Sequence, residues 1–154
     1  MNNFYLIAKG DKGKEYGFGH IFRTIRIYKK LKKKLKDYRF ILLTNNNKDL
    51  IKKIRTDIEK KISIKNINSF KNIEFKKKDF LLFDTLGIEK NLLEHINQKK
   101  IKNIISSDQI SLKKIQKALI INGIFFSKKK IFSNRKNIKI LQGPEYNTIE
   151  GYPQ

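Results

Sequence analysis

The sequence predicts an α/β fold with a mostly parallel sheet, and three observations carry that expectation. Short, continuously apolar runs recur along the 154 residues, as strands buried on both faces require. Between them lie longer stretches with apolar residues every three or four positions, the spacing of an amphipathic helix. Polar residues follow directly after several of the runs, at what would be the carboxyl edge of a parallel sheet, where such proteins bind ligands.

The first run is Phe4-Tyr5-Leu6-Ile7-Ala8, followed by a polar, glycine-bearing loop over residues 9–16. Ile21, Ile25, Tyr28, Leu31 and Leu35 then share one face of a long helix. Arg39-Phe40-Ile41-Leu42-Leu43 predicts a second buried strand, ending at Thr44 and a turn-forming run of asparagines over 45–47. Leu50, Ile51, Ile54 and Ile58 mark a second helix. Residues 62–67 are expected as a short strand, and the basic stretch up to Lys78 as a loop or a sheet edge. Phe80-Leu81-Leu82-Phe83 is a third clear buried strand, closed by Asp84. A helix is expected over 89–97, a strand over 102–105 leading to Ser106-Ser107-Asp108, and a short helix over 111–117. Leu119-Ile120-Ile121 and residues 138–141 complete the pattern as short strands. No internal repeat appears, and the length suits one domain, expected over 1–146 with a tail or the start of a linker over 147–154.

Composition excludes several chemistries. There is no cysteine, so disulfides, thiolate nucleophiles and Cys-based zinc sites are ruled out. The two histidines, His20 and His95, lie on different expected elements without metal-ligand spacing, so no metal or other cofactor is expected. No segment offers the roughly 18 apolar residues of a membrane span, and the N-terminus reads as a strand; the expected address is the cytoplasm. The net charge of +22 comes mostly from lysine, with arginine at positions 23, 26, 39, 55 and 135. Base and phosphate readout favours the guanidinium fork. Lysine runs at 32–34, 76–78 and 128–130, beside heavy use of isoleucine and asparagine, read as a solvated surface set by biased codon usage. No specific nucleic-acid partner is expected, although charge alone gives weak, salt-sensitive affinity for polyanions.

The chemistry concentrates at Gly17-Phe18-Gly19-His20-Ile21-Phe22-Arg23, where the first loop turns into the first helix. Glycine on either side of Phe18 permits a tight turn and close approach of a ligand. The unpaired N–H groups of a first helical turn, with the helix dipole, make an anion-friendly place. The same potential favours a neutral His20 near pH 7, the form able to take up a proton. Taken singly, a Gly-x-Gly and one histidine are equally the marks of an ordinary cap. His20, Thr44, Asp84, Asp108 and Asn122, however, each follow an expected strand at the same edge of the sheet.

The ordered series of Gly17-x-Gly19-His20-x-x-Arg23, Asp84, Asn122 and Leu141-Gln142-Gly143-Pro144-Glu145-Tyr146 resembles the N-terminal half of the UDP-sugar hydrolases of pseudaminic acid biosynthesis and the related spore coat polysaccharide biosynthesis proteins. The resemblance runs from Lys9-Gly10 to Tyr146 and implies one of the two Rossmann-like domains of a MurG-like GT-B fold, with helices on both faces of its sheet. The implied reaction cleaves the bond between a sugar's anomeric carbon and UDP, with water as acceptor and no metal. His20 would be the general base, and Gly17 and Gly19 would shape the loop around sugar or diphosphate. Arg23 would orient that loop, neutralise phosphate or pair with a nearby acid, and Asp84 would bind the sugar or orient His20. Asp108, Asn122 and Tyr146 complete the implied substrate-binding set. The chain departs from the family at Ser107-Asp108, where a pair of acids is usual, and after Tyr146, where Asn147-Thr148-Ile149-Glu150 stands. The resemblance also implies a C-terminal GT-B domain, separate or missing here, supplying most nucleotide contacts. A sugar transferase with the same fold and a non-catalytic sugar-nucleotide-binding domain are the alternative readings.

Overall fold

The computed structural model describes residues 1–10, 19–45, 48–58, 62–85, 88–107, 118–122 and 138–142. Seven strands are described: β1 (Asn2–Ala8), β2 (Tyr38–Thr44), β3 (Ser63–Asn66), β4 (Phe80–Asp84), β5 (Asn103–Ser106), β6 (Ala118–Asn122) and β7 (Ile138–Gln142). They form one sheet in the order β3-β2-β1-β4-β5-β6-β7, and every neighbouring pair is parallel. Three α-helices are described: α1 (Gly19–Lys34), α2 (Lys48–Asp57) and α3 (Lys90–Gln98). This is the α/β, Rossmann-like architecture the sequence predicts.

The alternation of side chains along each strand sorts the core into two layers. Phe4, Leu6, Phe40, Leu42 and Leu82 face α1 and α2, where Ile21, Ile25, Tyr28, Ile54 and Ile58 are buried. Tyr5, Ile7, Ile41, Leu81 and Phe83 face the opposite layer, where Leu92, Leu93 and Ile96 of α3 pack. Both faces of β1 and β2 therefore carry packed layers, and β4 is covered by α3 on one face and bordered by α1 on the other, which is why residues 4–8, 40–43 and 80–83 are apolar without alternation. Parallel register also lines up like residues. Phe4 sits beside Phe40 and Phe80, with ring centroids 5.3 and 5.6 Å apart, and Tyr28 meets Phe40 edge-on at 5.3 Å. Such aromatic pairs add about 1 kcal/mol each beyond the area they bury.

α1 ends on Lys32, Lys33 and Lys34, where positive charge complements the carboxyl end of the helix dipole. The strand expected to residue 67 stops at Asn66, and the loop or edge expected after it begins differently: Ile67–Asn72 is a 3-10 helix. Asn66 caps it by accepting from the Asn68 N–H at 2.9 Å, and Ile67 and Phe70 are buried against the α3 layer. Two apolar residues three apart, behind an asparagine cap, form one such turn and are too few to show a helical period. The expected helix over 111–117 lies outside the described residues.

The opposite edge of the sheet from the candidate site is held by Asp79, which is fully buried. Its carboxylate accepts the N–H of Asn3 at 2.9 Å and that of Lys76 at 2.8 Å, fixing the entry to β4 against the start of β1. No described helix is long and apolar enough to cross a membrane.

Candidate functional site

In this strand order the chain leaves β1 toward β2 on one side, while β4 lies on the other, so the carboxyl ends of β1 and β4 border the topological switch point. α1 begins there, at Gly19, and presents His20, Arg23 and Thr24 on its first two turns. Asp84 is the last residue of β4 and pairs in register with Ala8 at the end of β1. Sequence spacing thus delivers an imidazole and a guanidinium, one helical turn apart, to a single carboxylate.

Asp84 is completely buried, and four donors meet it. His20 Nδ1 is 2.7 Å from Oδ1. Arg23 grips both oxygens, Nε donating to Oδ2 at 2.8 Å and Nη2 to Oδ1. The Thr24 hydroxyl donates to Oδ2 at 3.1 Å. An ionised carboxylate offers about four lone-pair sites, so this one is fully used within the protein. Burial pushes the Asp84 carboxyl up, but the Arg23 hydrogen bonds and charge, with the hydrogen bond from His20, outweigh it and hold the group below its ordinary value.

Ionised Asp84 settles the imidazole tautomer. A carboxylate only accepts, so Nδ1 carries the proton that it donates to Oδ1, and Nε2 is the basic nitrogen. Nη2 of Arg23 also lies 3.1 Å from Nδ1, because the two donors converge on one oxygen. His20 and Arg23 keep 18% and 24% of their side-chain surface in solvent while Asp84 keeps none, so the acid is the anchor and the bases face outward. Ser107, directly after β5, completes the wall. Its N–H and hydroxyl donate to the Phe83 carbonyl at 2.9 and 3.2 Å, and its oxygen accepts from Arg23 Nη2 at 3.4 Å.

The segment leaving β1 is bracketed on both sides. Asn45, just beyond Thr44, accepts the Gly10 N–H at 3.0 Å and returns a hydrogen bond to the Gly10 carbonyl. Lys9 forms an ion pair with Glu89 at the start of α3. A Cβ added to Gly19 would meet nothing within 4 Å, so internal packing does not require glycine at that position.

Of the residues the sequence singles out, His20, Arg23 and Asp84 are in mutual contact and Gly19 begins their helix. Asn122 ends β6 in register with Gln142, as expected of a residue at the carboxyl edge. Gly17, Asp108 and Tyr146 lie outside the described residues. Of the roles left open for Arg23 and Asp84, the geometry serves ion pairing for the first and orientation of His20 for the second, since no oxygen of Asp84 is left over for a sugar. Sequence reading missed Thr24, a hydroxyl on the buried face of α1 between Ile21 and Ile25; a polar residue at an apolar helical position is the signal that finds it. The second histidine serves packing: His95 donates from Nε2 to the Ile73 carbonyl at 3.3 Å and stands between the rings of Phe70 and Phe75.

No family model matches the chain, and no solved structure matches it. It is 29% identical over 140 residues to an uncharacterized protein of Methanocaldococcus jannaschii. That similarity takes in 88% of this chain but 29% of the archaeal protein, so the chain spans less than a third of the length of its relative.

Proposed function

We propose that this chain is the N-terminal, base-bearing half of a nucleotide-sugar hydrolase of the UDP-2,4-diacetamido-2,4,6-trideoxy-sugar type, acting in surface polysaccharide or nonulosonic acid synthesis. The observation that carries the reading is the 2.7 Å contact of His20 Nδ1 with a buried, ionised Asp84 at the switch point, beside a helix N-terminus suited to diphosphate. An aspartate behind a histidine fixes the tautomer and stabilises the imidazolium that forms when Nε2 takes a proton.

In the reaction, Nε2 of His20 removes a proton from water as the water oxygen attacks the anomeric carbon. The bond from that carbon to the diphosphate oxygen breaks, and its electron pair leaves with UDP. Asp84 stays ionised throughout, holding the imidazole by Nδ1. Arg23 fixes Asp84 through both oxygens and so keeps the acid from turning away. General-base assistance of this kind supplies about 10²- to 10⁴-fold in rate.

The test is UDP release from such a sugar nucleotide by this chain, alone and together with any second Rossmann-like half that the DNA downstream of codon 154 encodes. Release that falls at least a hundredfold in His20→Asn, with an unchanged melting curve, supports the assignment. Release indifferent to that substitution removes His20 from the chemistry, and binding without release assigns the chain to the non-catalytic reading.

A further inference from the structure

A cavity of about 320 Å³ opens between α1 and the neighbouring face of the sheet. Ile27, Leu31 and Leu35 of α1 form one wall, and Phe80, Leu82 and Ile105 of β4 and β5 form much of the floor. Among the described residues no helix lies over this floor beyond α1, and the strand order explains why. α1 and α2 serve the connections running from β1 toward β3, and they occupy this face. The right-handed connection from β4 to β5 turns the other way, and its helix, α3, packs on the opposite face. The sequence nevertheless keeps the floor apolar out to Ile121 on β6.

The rim of the groove is basic on both sides. Along α1, Lys30 and Lys34 fall three residues after Ile27 and Leu31, on the solvent side of the apolar line, and both are exposed. Across the groove, Lys139 of β7 is paired in register with Leu119, one alternation from Ile121, so it belongs to the same face and is exposed. Asp37 is the acid in the turn that follows α1.

We infer that this groove receives an amphipathic α-helix of another polypeptide, with an apolar stripe flanked by aspartate and glutamate. Size fits that occupant. An apolar cavity of about 150 Å³ holds one benzene ring, so this one takes about two side chains of leucine or phenylalanine size, the anchors a helix places at i and i+3 or i+4. Charge fits it too, because acidic flanks meet lysine on both rims. A second copy of this chain, itself at +22, would set lysine against lysine. A flat bilayer would not reach the apolar residues, which lie within the groove; Met1, the exposed large hydrophobic residue among those described, does not line it.

The probe is a fluorescein-labelled synthetic peptide of about 18 residues, long enough to hold a helix, with leucine at i, i+3, i+4 and i+7 and glutamate on the flanks. Anisotropy titration of the full chain at physiological salt is expected to show binding at least tenfold tighter than for a scrambled peptide of the same composition. Leu31→Lys and Ile105→Lys should each weaken it at least tenfold. The exposed pair Lys30→Glu and Lys34→Glu, which leaves the core intact, should do the same and flatten the salt dependence. Equal binding of the scrambled peptide, or indifference to all of these substitutions, overturns the inference in favour of non-specific charge. It is also overturned if Leu31→Lys instead abolishes adhesion to phosphatidylglycerol vesicles, or dissolves a dimer seen in sedimentation, while leaving peptide binding unchanged.

Discussion

The Nδ1–H of His20, at the start of α1, donates to Oδ1 of Asp84, at the end of β4, across 64 residues of sequence and 2.7 Å of space. The bond fixes which imidazole nitrogen is basic, and it does so from a carboxylate that solvent does not reach.

Asp84→Asn tests the tautomer. A carboxamide can turn its NH₂ toward Nδ1, which then accepts and transfers the proton to Nε2, the wrong nitrogen for a base. On the proposed reading, UDP release should fall roughly 10²- to 10⁴-fold, with much smaller change in substrate affinity. Steady-state kinetics separates the two, and a loss confined to affinity would show Asp84 acting on binding.

The same carboxylate links stability to pH in a definite direction. Because Asp84 is more acidic folded than unfolded, its contribution is complete above the unfolded value of about 3.8 and is lost as pH falls through the lower, folded value. At pH 7, Asp84→Asn should cost about 3 kcal/mol in urea unfolding, the lower end for breaking a buried ion pair because Arg23 retains solvent contact. The gap between the two proteins should close as pH is taken below that value. A gap constant through this range would mean that packing, not charge, carries the effect.

Arg23→Lys tests the fork. A lysine ammonium matches the charge but not the two parallel contacts of Nε and Nη2. Loss of about 1.5 kcal/mol in stability is expected, with slower turnover because Asp84 is no longer held from both sides. Thermal melting alongside UDP release reports both.

Gly19→Ala separates fold from ligand. With nothing beyond its chain neighbours and its own helix backbone within 4 Å of the added Cβ, the substitution should leave stability unchanged or raise it by about 0.5 kcal/mol. Sugar-nucleotide turnover should nevertheless drop if substrate passes over that first turn. Unaltered kinetics would place the substrate elsewhere.

Much of this architecture is legible in the sequence because three strands, β1, β2 and β4, are buried on both faces and read as unbroken apolar runs. Their polar ends, Thr44 and Asp84, fall where the runs stop, so the carboxyl edge of the sheet can be drawn before any contact is known. His20 and Arg23 are legible through helical spacing; Asp84 as the orienting acid comes only with the family resemblance, since nothing local to residue 84 says that β4 lies beside β1. Thr24 and Asn45 escape the same way. One is a hydroxyl among apolar residues of α1 and the other an asparagine in a run of three, and each is defined by a partner far along the chain. The turn over Ile67–Asn72 is too short to show a period of its own.

The position of β1, between β2 and β4, has a consequence for how the chain acquires its shape during synthesis. β1, α1 and β2 are complete once about 45 residues have emerged, and they form a local unit with β1 as an open edge. That edge is closed by a strand that begins at Phe80. Until then α1 carries His20, Arg23 and Thr24 with no acid to receive them, and the apolar face of β1 awaits its neighbour. Arrival of β4 seals the sheet and delivers Asp84 in one step, so assembly of the site reports completion of the central sheet. A nascent chain halted before residue 80 should accordingly be protease-sensitive in β1 and β2, and one halted beyond residue 107, once clear of the ribosome, should be protected in β1, β2, β4 and β5.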